Sequence, residues 1–116
     1  METPVTDLIN WNDFTKVMMC VGTILSAEVF KEARKPAYKM TIDFGEYGIR
    51  KTSAQITRLY EADSLPGKQV VAVLNFPPKQ IANFFSECLV LGAVGDSQEV
   101  TLLTTERKVK NGTRIA

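Results

Sequence analysis

The stretch Tyr38-Lys39-Met40-Thr41-Ile42-Asp43-Phe44 decides the reading of the fold. Tyr38, Met40, Ile42 and Phe44 alternate with Lys39, Thr41 and Asp43, and a period of two is that of a β-strand with one buried and one wet face. Gly45-Glu46-Tyr47-Gly48 then reads as a short turn, and residues 49–56 as the returning strand of a hairpin. Lys51, Ser53 and Gln55 recur at the same period and so share a face of that strand.

Upstream, Lys31-Glu32-Ala33-Arg34-Lys35-Pro36 is a charged loop closed by a proline. Residues 17–30 are rich in β-formers, with Gly22 predicting a bend or bulge. Asn12 reads as the N-cap of one short helical turn. Downstream, residues 57–64 read as a short helix or irregular stretch ended by Leu65-Pro66-Gly67. Residues 69–74 are almost wholly apolar, as a strand in a barrel wall would be, and Asn75-Phe76-Pro77-Pro78 stops them, because two prolines cannot continue a ladder. Residues 88–94 and 100–104 are two more strands, and Asn111-Gly112 is a tight-turn signal. Five or six short strands with almost no helix predict an all-β barrel or sandwich.

A length of 116 residues, 45% apolar and 23% charged, fits one globular domain over residues 1–116. The net charge of +1 hides a pattern: −3 over residues 1–30, +4 over 31–58, −4 over 59–106 and +4 from Arg107 onward. Two basic segments of this kind permit a basic face; two solvated hairpins would carry the same charges. Cys20 and Cys88 lie far apart in apolar runs and predict buried free thiols in a reducing compartment. The acidic start lacks the pattern of a signal peptide, and the apolar runs are too short to span a bilayer, so a cytoplasmic protein is expected.

Histidine is absent, which removes the commonest general base and the commonest metal ligand together. Lys51 with Ser53 has no flanking residues that build an oxyanion site, and Asp43 with Glu46 or Glu87 reads as solvated carboxylates. No phosphate-binding glycine motif occurs. The expectation is a protein without catalytic residues, cofactor or metal. Residues 75–87 carry binding chemistry instead: Phe76, Phe84 and Phe85 beside Lys79, amides and hydroxyls. Stacking surface, hydrogen-bonding groups and a cation are what single-stranded nucleic acid recognition uses, although aromatics here could equally plug a barrel end.

Four blocks carry a resemblance: Phe30 through Gly45, Thr52-Ser-Ala-Gln-Ile56, Asn75-Phe-Pro-Pro-Lys-Gln-Ile81 and Ser86-Glu-Cys-Leu-Val-Leu-Gly92. In this order they resemble the CsaA export-related chaperones, within the tRNA-binding domain superfamily whose members also occur appended to methionyl- and tyrosyl-tRNA synthetases. The resemblance runs from about Asp13 to the C-terminus. It implies a five-stranded OB-type barrel with a short N-terminal helix and extra terminal strands that pair two subunits. It also implies binding of tRNA or structured RNA, and for CsaA members a role in holding unfolded polypeptides. Carried over by position, the RNA-facing candidates are Arg34, Lys35, Lys39, Lys51, Ser53, Gln55, Asn75, Lys79, Ser86 and Glu87. A peptide groove would use Phe76, Ile81, Phe84 and Phe85. Two departures stand out: Thr52 replaces the usual serine, and Asn83-Phe84 replaces a pair that usually includes glycine.

Overall fold

The computed structural model describes residues 7–116; residues 1–6 of the expected domain lie outside the described residues. Helix α1, Trp11–Thr15, is a single turn capped by Asn10. The Asn10 side chain accepts from the Asp13 N–H at 2.9 Å while the Asp13 carboxylate accepts from the Asn10 N–H at 3.0 Å. That reciprocal pair places the cap at Asn10, not at the predicted Asn12.

Strand β1 is Met19–Val29, β2 Tyr38–Asp43, β3 Ile49–Ala54, β4 Gln69–Val73, β5 Lys79–Ile81, β6 Phe84–Ser86, β7 Leu89–Val90, β8 Gly92–Val94 and β9 Val100–Leu102. Five of them form an antiparallel sheet in the order β3-β2-β1-β4-β7, and β5-β6 and β8-β9 are separate hairpins. The sheet curls until its edge strand β3 meets the chain just before β7. There the Glu87 N–H donates to the Lys51 carbonyl at 2.8 Å. The result is a nearly closed barrel of five strands, with a short helix at its N-terminal end.

The alternation read in β2 is realised: Tyr38, Met40 and Ile42 are buried, and Lys39, Thr41 and Asp43 are half-exposed. Phe44, Ile24, Met40, Ile42, Leu65, Val21 and Val70 are the largest fully enclosed side chains. Each contributes about 1.5–3 kcal/mol by leaving water.

β1 organises the barrel because it has three partners. It pairs with β4 over Met19 to Thr23 and with β2 over Thr23 to Val29, the handover marked by a register shift between Ile24 and Ser26. The bulge therefore falls after Gly22, which has another reason. A Cβ on Gly22 would stand 2.6 Å from the Phe44 ring, so glycine lets β1 pass directly over the core aromatic. The third partner is the C-terminal segment: Val21 N–H donates to the Thr113 carbonyl at 2.9 Å, and Gly112 N–H to the Val21 carbonyl at 2.7 Å.

The predicted strand over 49–56 is shorter, and that over 88–94 is divided. β3 stops at Ala54 because its last partner in β2 is Tyr38, opposite Ala54. The expected strand over 88–94 splits at Leu91, where the chain changes partner. Leu91 donates to the Val71 carbonyl and accepts from the Leu103 N–H, so β7 continues β4 while β8 turns to β9. Residues 57–64 settle as one turn of 3-10 helix at Ala62–Ser64.

Candidate nucleic-acid interface

Three segments surround an open cleft of about 1150 Å³: the charged loop between β1 and β2, the β5-β6 hairpin and the β8-β9 hairpin. Arg34 and Lys35 supply the loop's cations, Lys79 stands on β5, and Ser53 and Gln55 come from β3 and the residue after it. The floor and walls are apolar, with Ala37, Ile56, Leu89, Val90 and Val100 facing in, and Phe76 and Ile81 at the hairpin side. Glu32 is the acid on this rim. The cleft thus joins a greasy floor to a mostly cationic edge.

The β5-β6 hairpin is held in strict register, Lys79 opposite Ser86, Gln80 opposite Phe85 and Ile81 opposite Phe84. Its two-residue turn places Ala82 at φ 54°, a left-handed conformation that costs a residue with a Cβ about 1–2 kcal/mol. This is the position where the resemblance expects glycine nearby. The segment read as an aromatic loop is therefore a built hairpin, and its partner is the edge of β3. Ser86 Oγ accepts from the Ser53 N–H at 3.3 Å and lies 3.0 Å from Thr52 Oγ1. The Glu87 carboxylate accepts from the Lys51 N–H at 2.9 Å.

On the outer face of β2 and β3, Lys39 and Lys51 converge on one ring. Lys39 Nζ is 5.8 Å from the Phe84 centroid and 5.3 Å from that of Phe30, and Lys51 Nζ is 5.6 Å from Phe84. Phe84 itself packs edge-on against Phe30 at 5.4 Å. Cation–π attraction holds the two ammonium groups near the cleft rim.

The structure brings Arg34, Lys35, Ser53, Gln55, Phe76, Lys79, Ile81 and Ser86 to one cleft, and sets Lys39, Lys51 and Phe84 on the face beside it. It spends others on the fold. The Asn75 amide donates to the Lys16 carbonyl at 2.6 Å and accepts from the Met18 N–H at 2.9 Å, tying the end of β4 to the exit of α1. Ser86 and Glu87 clasp β3. Phe85 is half-exposed on the opposite side of the hairpin from Phe84. Residues not singled out in the sequence include Phe30, Glu28 and the β8-β9 walls. In the sequence Thr52 stands out only as a departure; in the fold it is fully buried and donates to the Cys88 carbonyl at 2.8 Å.

Cys88 lies at the cleft floor, and burial pushes its thiol up to about 11 from 9.0. A raised thiol pKa favours the folded state while the group is neutral. That contribution is complete below pH 9 and is lost as pH rises through about 11. Urea unfolding of wild type and Cys88→Ala should show a stability gap that narrows by about 2–3 kcal/mol across that window. A gap constant from pH 8 to above 11 would count against a buried thiol here.

Fold and site together define a class: a small OB-type barrel carrying a cationic, aromatic-edged cleft. The family model described as "Putative tRNA binding domain" matches residues 19–114. The chain belongs to this tRNA-binding domain family, and to its CsaA branch. It is 48% identical to the chaperone CsaA from Bacillus anthracis str. Ames, with a TM-score of 0.91 over 95% of this chain and 100% of that one. It is 51% identical to the CsaA chaperone protein from Picrophilus torridus, with a TM-score of 0.88 over 94% of this chain and 100% of that one. Among curated proteins, the methionine–tRNA ligase of Methanococcoides burtonii is 35% identical over 94% of this chain. The match spans only 16% of that ligase, so the likeness is to one module of a larger enzyme.

Proposed function

We propose that this chain, acting as a single module, binds tRNA or another structured RNA without catalysing a reaction. The observation that carries the reading is the gathering of Arg34, Lys35 and Lys79 around an apolar cleft edged by Phe76, with Lys39 and Lys51 over Phe84 on the face beside it. Lysines neutralise phosphates, and the cleft offers apolar surface to an unstacked base. Membership of the tRNA-binding domain family supports the same partner. Titration of labelled tRNA at two salt concentrations tests it. A log–log salt slope of about −2 or steeper is expected from three or more phosphate contacts. Binding that is absent at low salt, or indifferent to salt, would falsify the reading.

The apolar floor favours a second reading, the holding of unfolded polypeptide, as in the relatives described as chaperones. Tight binding of a reduced, unfolded polypeptide with a flat salt slope supports it. No helix among the described residues is long and apolar enough to cross a membrane, and two buried free thiols suit a reducing cytoplasm.

The reading includes a homodimer. Leu8, Ile9 and Trp11 are 92%, 71% and 69% exposed, and large apolar groups clustered at one end of a small domain call for a cover. Sedimentation at micromolar concentration should show a dimer that Trp11→Glu dissociates. A wild-type monomer would leave the module acting alone.

A further inference from the structure

We infer that Lys39, Ser53 and Lys51 form a seat for one backbone phosphate, that Phe84 backs the two lysines and is not a base-stacking platform, and that Glu28 competes with the phosphate for Lys39. The inference rests on the RNA-binding reading and specifies what its most ordered part recognises.

The strand register builds the seat. Glu28 of β1 lies opposite Lys39 of β2, which lies opposite Ser53 of β3, while Lys51 sits two residues before Ser53 on the same face. Two ammonium groups therefore project from adjacent strands on one diagonal, an arrangement that repels until an anion enters. Lys51 has no ion-pair partner among the described residues. The Ser53 residue is half-exposed between the two lysines, and its hydroxyl makes no hydrogen bond among the described residues; its own N–H and carbonyl carry the contacts. Two cations and a free hydroxyl donor fit a phosphate group.

The ring behind them is already taken. Phe84 has both ammonium groups within 6 Å of its centroid, by the 5.8 and 5.6 Å distances, and its packing with Phe30 is edge-on. A base arriving at this ring would have to displace cations that attract RNA. Glu28 shows where the anion goes. Its carboxylate stands 3.9 Å from Lys39 Nζ, with Glu28 74% and Lys39 28% exposed. A pair this exposed is held weakly and is readily displaced.

The test measures binding of a single-stranded RNA of about twelve nucleotides and of its abasic counterpart of equal length, with wild type, Phe84→Leu and Glu28→Gln. Phe84→Leu keeps the apolar plug and should weaken both probes by the same factor, about two- to fivefold. Glu28→Gln, an exposed change that leaves folding intact, should tighten both by about twofold. Loss confined to the base-bearing probe would make Phe84 a stacking platform and overturn the inference. So would unchanged or weaker binding by Glu28→Gln. In either case strong wild-type binding leaves the RNA reading standing; wild type that binds neither probe removes that reading itself.

Discussion

Alanine at both Lys51 and Lys79 should reduce tRNA affinity at least tenfold at low salt and flatten its salt slope by about 1.4 to 1.8, that is, 0.7 to 0.9 for each lost phosphate contact. Both side chains are exposed, and neither has a carboxylate partner among the described residues. Lys51 serves the fold through its backbone, which pairs with Glu87, so truncating its side chain leaves the barrel seam intact. The circular dichroism spectrum and urea midpoint of the double variant should therefore match wild type. Asn75→Ala should do the opposite. It frees the Lys16 carbonyl and the Met18 N–H and should cost about 1–2 kcal/mol of stability while leaving the salt slope alone. A double lysine variant that binds with wild-type affinity and slope would move the interface elsewhere.

Gly45→Val should be among the most damaging single changes in the chain, lowering stability by about 3 kcal/mol or more. Gly45 has φ +65°, and a Cβ there would run into the Asn111 carbonyl. The two faults add: a β-branched residue in a left-handed conformation, and a clash with backbone that cannot rotate away. Asn111 is itself fixed, since its side chain accepts from Thr23 Oγ1 at 2.7 Å and from Gln69 Nε2 at 3.0 Å. Gly48 provides the control. It has φ +85° and ψ −178°, a region that only glycine favours, but nothing within 4 Å of an added Cβ, so Gly48→Ala should cost only the backbone strain, about 1–3 kcal/mol. Urea unfolding separates the cases; equal losses at the two glycines would mean that contact with Asn111 contributes nothing.

The parts of the fold legible in the sequence are those whose cause is local. The period of two from Tyr38 to Phe44 needs only a strand with one wet face, and the prolines at 77 and 78 need only the lack of an N–H. What sequence could not place depends on partners far along the chain. Residues 88–94 look like one strand, yet Leu91 divides them because Val71 and Leu103 pull on its two sides. Gly22 reads as a bend, but its reason is the Phe44 ring packed against it.

The candidate site divides in the same way. Lys51 and Lys79 could be chosen from sequence because cations in exposed stretches have few structural duties. Asn75, Ser86 and Glu87 look identical in type to ligand-binding residues, and only geometry reveals their side chains bonded to backbone. Glu28 carried no signal, since nothing in the sequence sets it opposite Lys39 before the register is known.

The third partner of β1 sets a condition on how the molecule is made. Met19 to Val21 bond to residues 112–115, and Thr23 meets Asn111 across 88 positions. During synthesis the first strand emerges early, while the segment that completes its outer edge follows only 88 positions later. Until then the nascent chain presents an unpaired strand edge over the Phe44 ring, a template for wrong pairing with other chains. Closure must await the Asn111-Gly112 turn, so the barrel's final consolidation is expected only once that segment has been made.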